Sequence, residues 1–438
     1  MSIPGRKQLP LLLSLLVSPW RGLPGQLIIQ YTDRCNARCP QCGMSVMNQF
    51  QRTTLGLDQA KRMIDDAAAT GIKAISFTGG EPLLYLDDIA ILVNHARKMG
   101  IEYTRTGTNG FLFANPDSPN FMDRAARIAD KLAESGLYTL WISLDSVDAA
   151  LHEAMRGLPG VVRGIEKAVP VFHGRGLYPS VNLGINRNLG NQRPPEVFEP
   201  LSFYEFFRDA LHAYYRRVCD MGFTIANACY PMSLETGVGG SAPVYAAASA
   251  DTIVSFTRAE KELIFKALFD TIPAFRSKLR IFTPRSSLYA LVRQMAGDEE
   301  FSFPCRGGLD FFFVSAKDAA VYPCGYRGQE KLGALQDLSR RQQKKTFKCR
   351  QCEWECFRDP SELLGPAVSL FTDPSALYRK IIRNSDYRRL WIEDLRYFAA
   401  CDFFDARLSP KYQRLSHFDQ LKNPSRMKND FHSAGEAT

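Results

Sequence analysis

Arg34-Cys35-Asn36-Ala37-Arg38-Cys39-Pro40-Gln41-Cys42-Gly43, or RCNARCPQCG, places three cysteines within eight residues, and no fourth follows nearby. A closed zinc site takes four ligands, and so does an iron–sulfur cluster held wholly by protein. Thiolate sulfur suits cluster iron, and the Cys-x3-Cys-x2-Cys spacing lets one loop wrap three corners of a cube, leaving the fourth iron open to an exogenous molecule. The run just before it, Leu27–Tyr31, is apolar and β-branched, so the cysteines follow directly on a strand.

That strand is the first of a series. Similar runs recur at Ala74–Phe77, Tyr103–Thr108, Thr139–Leu144, Val181–Ile185 and Phe223–Ala226. Helical spacing separates them: Leu57, Ala60, Ile64 and Ala67 lead to Gly71, and Ile89, Leu92, Val93 and Ala96 lead to Gly100. Further helices are predicted over Asn120–Glu134, Val161–His173 and Phe203–Met221. Six strand–helix units in series predict an α/β fold, a parallel sheet curved into a partial (β/α)6, TIM-like barrel with helices outside. In such sheets the loops after the strands' C-terminal ends build the active site, which sets Cys35 to Cys42 at the open mouth. Beyond Pro231, the Gly-, Ala- and Ser-rich stretch Ser233–Ser255 reads as a long loop or lid, followed by a helix over Arg258–Ile272 and a strand near Arg280–Thr283.

With 45% hydrophobic and 23% charged residues, the chain has ample material for a core. The net charge of +9 suits anionic cofactors or partners, and the absence of a dense Arg/Lys stripe argues against nucleic acid. Eight of the eleven cysteines fall in two groups, Cys35 to Cys42 and Cys305 to Cys356; Cys219, Cys229 and Cys401 stand alone and read as core residues. Close CxxC spacings in an odd total point to metal or cluster ligation in a reducing, cytoplasmic compartment. The N-terminal apolar run Leu9–Val17 is shorter than the ~20 residues that span a bilayer, and no small-residue cleavage site follows. Docking on the protein's own barrel is its simplest use. Shallow attachment to a membrane surface is the alternative, since Arg6, Lys7 and Arg21 flank the run.

The cysteine loop after the first strand resembles the hallmark of the radical S-adenosylmethionine (SAM) superfamily. In that family the open iron of a 4Fe–4S cluster is chelated by the amino and carboxylate groups of SAM. An electron then breaks the S–C5′ bond, and the resulting 5′-deoxyadenosyl radical takes a hydrogen atom from the substrate. Family members usually carry an aromatic residue where this chain has Gln41. The stretch SFTGGEPLL resembles the family's GGEP motif, so Gly79, Gly80, Glu81 and Pro82 are expected to hold the SAM amino group, mainly through backbone carbonyls. GTNG and ISLDS resemble family stretches after strands three and four. Thr108, Asn109, Ser143 and Asp145 thus bring small polar groups to the mouth, where a ribose and a carboxylate need partners. Arg156, in HEAMRG, is expected at the methionyl carboxylate, with a solvated helix-start arginine as the alternative. Asn186, in NLGINRN, is expected at the same rim, ahead of Arg187. His152 is taken as a surface histidine.

FPCRGG, VYPCGY and KCRQCEWEC supply Cys305, Cys324, Cys349, Cys352 and Cys356. The first two bracket a predicted β-hairpin, LDFFFVSAKDAAVYP, with its turn at Lys317-Asp318. The arrangement resembles the SPASM/twitch extension of radical SAM enzymes, although Ala319-Ala320 stands where a glycine is usual. The resemblance implies one auxiliary 4Fe–4S cluster on Cys305, Cys324, Cys349 and Cys352, with Cys356 as a spare or alternative ligand; zinc satisfies the same ligand types. The expected organisation is an N-terminal segment 1–24, a barrel 25–295, an auxiliary-cluster region 300–360 and a helical extension with a polar tail 361–438.

The expected activity is therefore reductive cleavage of SAM and hydrogen abstraction from a peptide, lipid-like or small-molecule substrate. An electron donor such as flavodoxin or ferredoxin is implied as partner. No general acid or base is identifiable. A non-catalytic iron–sulfur or zinc-binding scaffold is the competing reading, against which GGEP and SLDS speak, because a scaffold has no need of a nucleoside cradle.

Overall fold

The computed structural model describes residues 25–43, 51–194, 197–231, 249, 251–337, 349–350 and 352–419. The apolar run Leu9–Val17, most of the expected lid and the polar tail lie outside the described residues. β1 (Gly25–Thr32) is buried at every position, as a strand covered on both faces must be. It pairs in parallel with β2 (Ile72–Gly79), and the ladder continues through β3 (Tyr103–Thr108), β4 (Thr139–Ser143), β5 (Ser180–Gly184) and β6 (Ile225–Cys229). The connecting helices are α1 (Leu57–Ala69), α2 (Leu86–Lys98), α3 (Phe121–Ser135), α4 (Ala149–Arg156), α5 (Val161–His173) and α6 (Pro200–Asp220), and α7 (Arg258–Thr271) follows β6. β6 begins two residues later than expected. Phe223 is consumed in the end of α6, its N–H bonding Val218 O at 3.2 Å beside Gly222 at φ 86°.

The sheet runs further than the six predicted strands. β7 (Arg280–Ile281) extends it in parallel beyond β6, and β8 (Phe311–Val314) pairs in parallel with β1 on the opposite edge. β9 (Val321–Tyr322) closes the predicted hairpin antiparallel to β8, giving the order β7-β6-β5-β4-β3-β2-β1-β8-β9. In its turn Ala319 adopts φ 56°, a left-handed conformation that favours glycine. The architecture is a partial TIM-like barrel whose C-terminal hairpin joins the same sheet.

Strand parity separates two environments. Leu140, Ile142, Val181, Leu183, Ala226 and Ala228 point outward and are sealed beneath the helices. Arg105, Trp141, Ser143, Asn182, Asn227 and Cys229, on the inward positions, are only partly buried, so the lumen is reached by solvent.

Between the two sheet edges stands α9 (Glu355–Thr372), which runs through residue 360. On one side Phe357 packs on the Phe311 ring at 5.5 Å and on Trp354 at 4.8 Å. On the other, Asp359 accepts from Tyr230 Oη at 3.1 Å and from Ser287 Oγ at 2.6 Å, Ser287 lying on α8 (Arg285–Met295). α9 acts as the stave that closes the barrel. Its lower end is capped by the chain after α10 (Ser385–Ala400), where Tyr138 Oη donates to Phe403 O at 2.9 Å and Ala406 N donates to Tyr138 O at 3.0 Å. Among the described residues, no helix is long and apolar enough to cross a membrane.

Phe357 is 1% exposed. Phe357→Ala is expected to lower stability by about 3–5 kcal/mol through the cavity it leaves, read as an earlier midpoint in chemical denaturation.

Candidate active site

The cysteine loop leaves β1 at Thr32 and is held by the loop that leaves β2. Gly80 N donates to Thr32 O and Glu81 N to Arg34 O, both at 2.9 Å. A Cβ on Gly79 would lie 2.0 Å from Thr32 O, and one on Gly80 would lie 2.2 Å from Arg34 O and 2.9 Å from Cys35 Cβ. The glycine pair thus lets two stretches of backbone touch, which places GGEP against the cysteines. Cys42 N bonds Cys39 O at 3.0 Å and closes the loop on itself. Ala37 N points at Cys35 Sγ, 3.5 Å away. Burial pushes the Cys39 thiol up to about 12, while the Arg156 guanidinium pulls the other way. Iron binding at this loop would therefore release protons.

Glu81 is 1% exposed and serves as a clamp. Its Oε1 accepts from Leu83 N at 3.0 Å, capping the turn that Pro82 begins, and its Oε2 accepts from Asn109 N at 2.6 Å. Burial raises its pKa to about 7 against the pull of those N–H groups. Thr108 Oγ1 accepts from Gly110 N at 3.1 Å, so the TNG stretch forms the turn after β3. Asn109 Nδ2 reaches Asn36 Oδ1 at 2.9 Å, beside Cys35. Ser143 stands half-buried at the lumen end of β4.

Asp145 is the hub of the next wall. Its Oδ2 accepts from Arg156 Nε at 2.9 Å, Arg156 Nη2 at 2.6 Å and Gln41 Nε2 at 2.8 Å, and its Oδ1 accepts from Gly184 N at 3.1 Å. Gln41, where the family usually has an aromatic, is thereby tied to strand four. Three expectations change. Arg156 is neither solvated nor free: it is committed to Asp145 and sits in the field of Cys39 and Cys42. Asn186 is fully buried and internally satisfied, donating to Asp145 O at 2.9 Å and Gly184 O at 2.7 Å while accepting from Asn188 N at 2.8 Å. It braces the rim from behind. His152 is not on the surface either. It is 0% exposed, and its Nδ1 accepts from Asp145 N at 3.0 Å. Burial, then the Arg156 charge, lowers it to about 4. Arg187 joins the chain after the lid, donating to Ser255 O at 2.8 Å and pairing with Glu260 at 2.8 Å.

The second thiol group separates into four and one. Cys305 N donates to Cys349 O at 2.8 Å, and Cys352 feels the charges of Cys305, Cys324 and Cys349 together. Gly307 N turns to Cys305 Sγ at 3.4 Å and Tyr326 N to Cys324 Sγ at 3.4 Å, and the Trp354 N–H bonds Cys352 in the same way. The N–H two residues on thus faces the sulfur at Cys35, Cys305, Cys324 and Cys352, as backbone donors do around cluster thiolates. Cys356 looks elsewhere. Its Sγ lies 3.5 Å from Glu355 Oε1, and the two share the lumen with Cys229 and Arg105. Cys229, expected in the core, bonds Asn182 at 3.2 Å on the inward face. Cys401 is fully buried in the core. Among the described residues, no three His, Cys, Asp or Glu groups converge as a single metal ion requires.

Residues 29–184 match the family model described as Radical SAM superfamily. The chain belongs to that superfamily. It is a radical SAM enzyme, and a radical SAM enzyme takes a 4Fe–4S cluster, SAM and a reductant. Among relatives, the AdoMet-dependent heme synthase of Nitratidesulfovibrio vulgaris is 24% identical over 309 residues, 68% of this chain and 72% of that protein. The PqqA peptide cyclase of Rhodopseudomonas palustris is 29% identical over 139 residues, 32% of this chain and 33% of that protein. The solved structure of polyhistidine-tagged anSMEcpe with bound AdoMet has a TM-score of 0.50 at 17% identity, covering 91% of this chain and 99% of that one. This likeness of fold extends through the SPASM/twitch-like C-terminal region.

Glu355 and Arg105 escaped the sequence reading, although parity in YTRTGT puts Arg105 on the same face as Gly107.

Gly80→Ala is expected to cost about 1–3 kcal/mol through overpacking and to reduce the iron retained at the Cys35 loop, measured by thermal unfolding and iron analysis. His152 is held neutral in the fold, its pKa lowered from 6.5 to about 4, so an unfolded chain takes up the proton first as pH falls. Its contribution to stability is whole above about 6.5 and is lost as pH falls toward 4. His152→Gln should flatten that part of the stability profile of the metal-free protein.

Proposed function

We propose that Cys35, Cys39 and Cys42 hold a 4Fe–4S cluster with one iron open to SAM, and that Cys305, Cys324, Cys349 and Cys352 hold an auxiliary 4Fe–4S cluster. The observation that carries this reading is the recurrence of the same N–H-to-sulfur turn in two separate thiol groups, one at the mouth after β1 and one beside β8. When bound, the cluster and SAM supply a 5′-deoxyadenosyl radical that takes a hydrogen atom from the substrate. The chain's own residues do the positioning. The Gly79–Pro82 backbone, pressed against the cysteine loop, offers polar surface to the SAM amino group. Glu81 and Asn109 hold that loop to β3. Ser143 presents a hydroxyl for the ribose, while the Thr108 hydroxyl is spent on Gly110 N and Glu81 and steadies the turn beside it. Arg156, anchored by Asp145, offsets thiolate charge at Cys39 and Cys42 and offers a cation to the methionyl carboxylate. Asn186 and His152 fix the backbone of Asp145 from behind.

The substrate is a peptide or small molecule that enters the lumen; the names of the relatives, a heme synthase and a peptide cyclase, bracket that range. The basic net charge suits an acidic donor of the flavodoxin or ferredoxin kind. Cys356 is left out of the auxiliary set, because its partners are Glu355 and the lumen.

Anaerobic reconstitution followed by dithionite and SAM is expected to release 5′-deoxyadenosine from the natural chain and none from Cys39→Ala, which should also lack one cluster's share of iron. Cys324→Ala should lose the other share, while Cys356→Ala should keep both. A fully loaded chain that releases no 5′-deoxyadenosine, with candidate substrates present, would overturn the proposal.

A further inference from the structure

Arg105 is a cation the fold does not balance. It sits on the inward face of β3, in register with Ser76 and Thr139, on the same side as Gly107 and the Trp141 indole packed over it. Its Nε is buried without a hydrogen-bond partner, and among the described residues its guanidinium makes no ion pair. The groups that face it are the Cys356 thiol and the Tyr138 phenol, both pushed upward by burial and so neutral, and the Phe282 ring 6.0 Å from its Cζ. Other interior arginines are answered. Arg156 meets Asp145, Arg276 meets Glu393 and Asp394, and Arg280 meets Asp405 O and Thr224 Oγ1. A partly buried charge without a partner is costly to a fold, and such a cost persists where a ligand repays it.

The lumen around Arg105 has the character of a binding chamber. Its wall is partly solvent-accessible and carries the amides of Asn182 and Asn227 and the hydroxyl of Ser143. Its acids do not supply the missing charge: Asp145 is committed to Arg156, and burial favours the neutral form of Glu355. Arg105 is the one Lys or Arg on strands β3 to β6. A lone guanidinium fork balances a singly charged carboxylate, whereas a phosphate dianion would leave a surplus negative charge in the chamber.

We propose that the lumen receives a carboxylate-bearing substrate and that Arg105 is the anchor for that carboxylate. This rests on the proposed function in one respect, that the lumen is the chamber where the substrate lies. The test uses the cluster-loaded full chain without SAM or reductant, so its outcome is separate from that of 5′-deoxyadenosine release. Thermal unfolding is followed with succinate, with succinamide and with inorganic phosphate at matched ionic strength. Succinate should raise the melting temperature of the natural chain, while succinamide and phosphate should not. Arg105→Met should melt about 2 °C or more above the natural chain in the absence of ligand, as removal of an unbalanced, partly buried charge predicts, and should lose the succinate response. Arg105→Lys should keep part of it. The anchor is overturned if succinate and succinamide act alike on the natural chain, if phosphate matches succinate, or if Arg105→Met keeps the succinate response. The comparison on the natural chain decides the matter even if Arg105→Met fails to fold.

Discussion

Everything at the mouth of this barrel depends on backbone touching backbone. Thr32 to Cys35 and Gly79 to Glu81 leave neighbouring parallel strands and are joined by two hydrogen bonds at a separation no side chain would tolerate. That contact fixes where three thiols stand relative to the GGEP turn. Glu81 extends the grip to β3 through Asn109, and the Asp145–Arg156 pair extends it to strands four and five. The strand ends are thus tied to one another and to the cysteine loop before any ligand arrives, which is the preorganisation a reactive intermediate requires.

The strand–helix series was legible because its signals are local: apolar runs of strand length, helical spacing between them and glycines at the ends. The two thiol groups were legible because ligand spacing is a chemical constraint on sequence. What escaped detection depends on tertiary neighbours. His152 looks like a surface histidine and Asn186 like a ligand-facing rim residue until the fold wraps both behind Asp145. Cys356 looks like a ligand by spacing, yet the first turn of α9 rotates it away from Cys352 and into the lumen. β7 and β8 were missed as sheet members because two- and four-residue strands carry too little pattern to announce their partners.

Polar commitments inside the barrel divide into those that hold the wall and those that face the chamber. Asp359, Tyr230 and Ser287 satisfy one another and fasten α9 to the far edge. Arg105, Cys229, Glu355 and Cys356 sit on the other side of that seam. The division explains how one helix both completes the barrel and contributes to its interior.

The position of the second thiol group also matters mechanically. Cys305 and Cys324 flank the hairpin on one sheet edge, and Cys352 sits just before the helix that shuts the gap. Iron shared among them would rivet the door to its frame. A chain starved of iron would then lose part of its vessel along with a redox centre, leaving the chamber ajar to water and oxygen when a loose radical would do most harm.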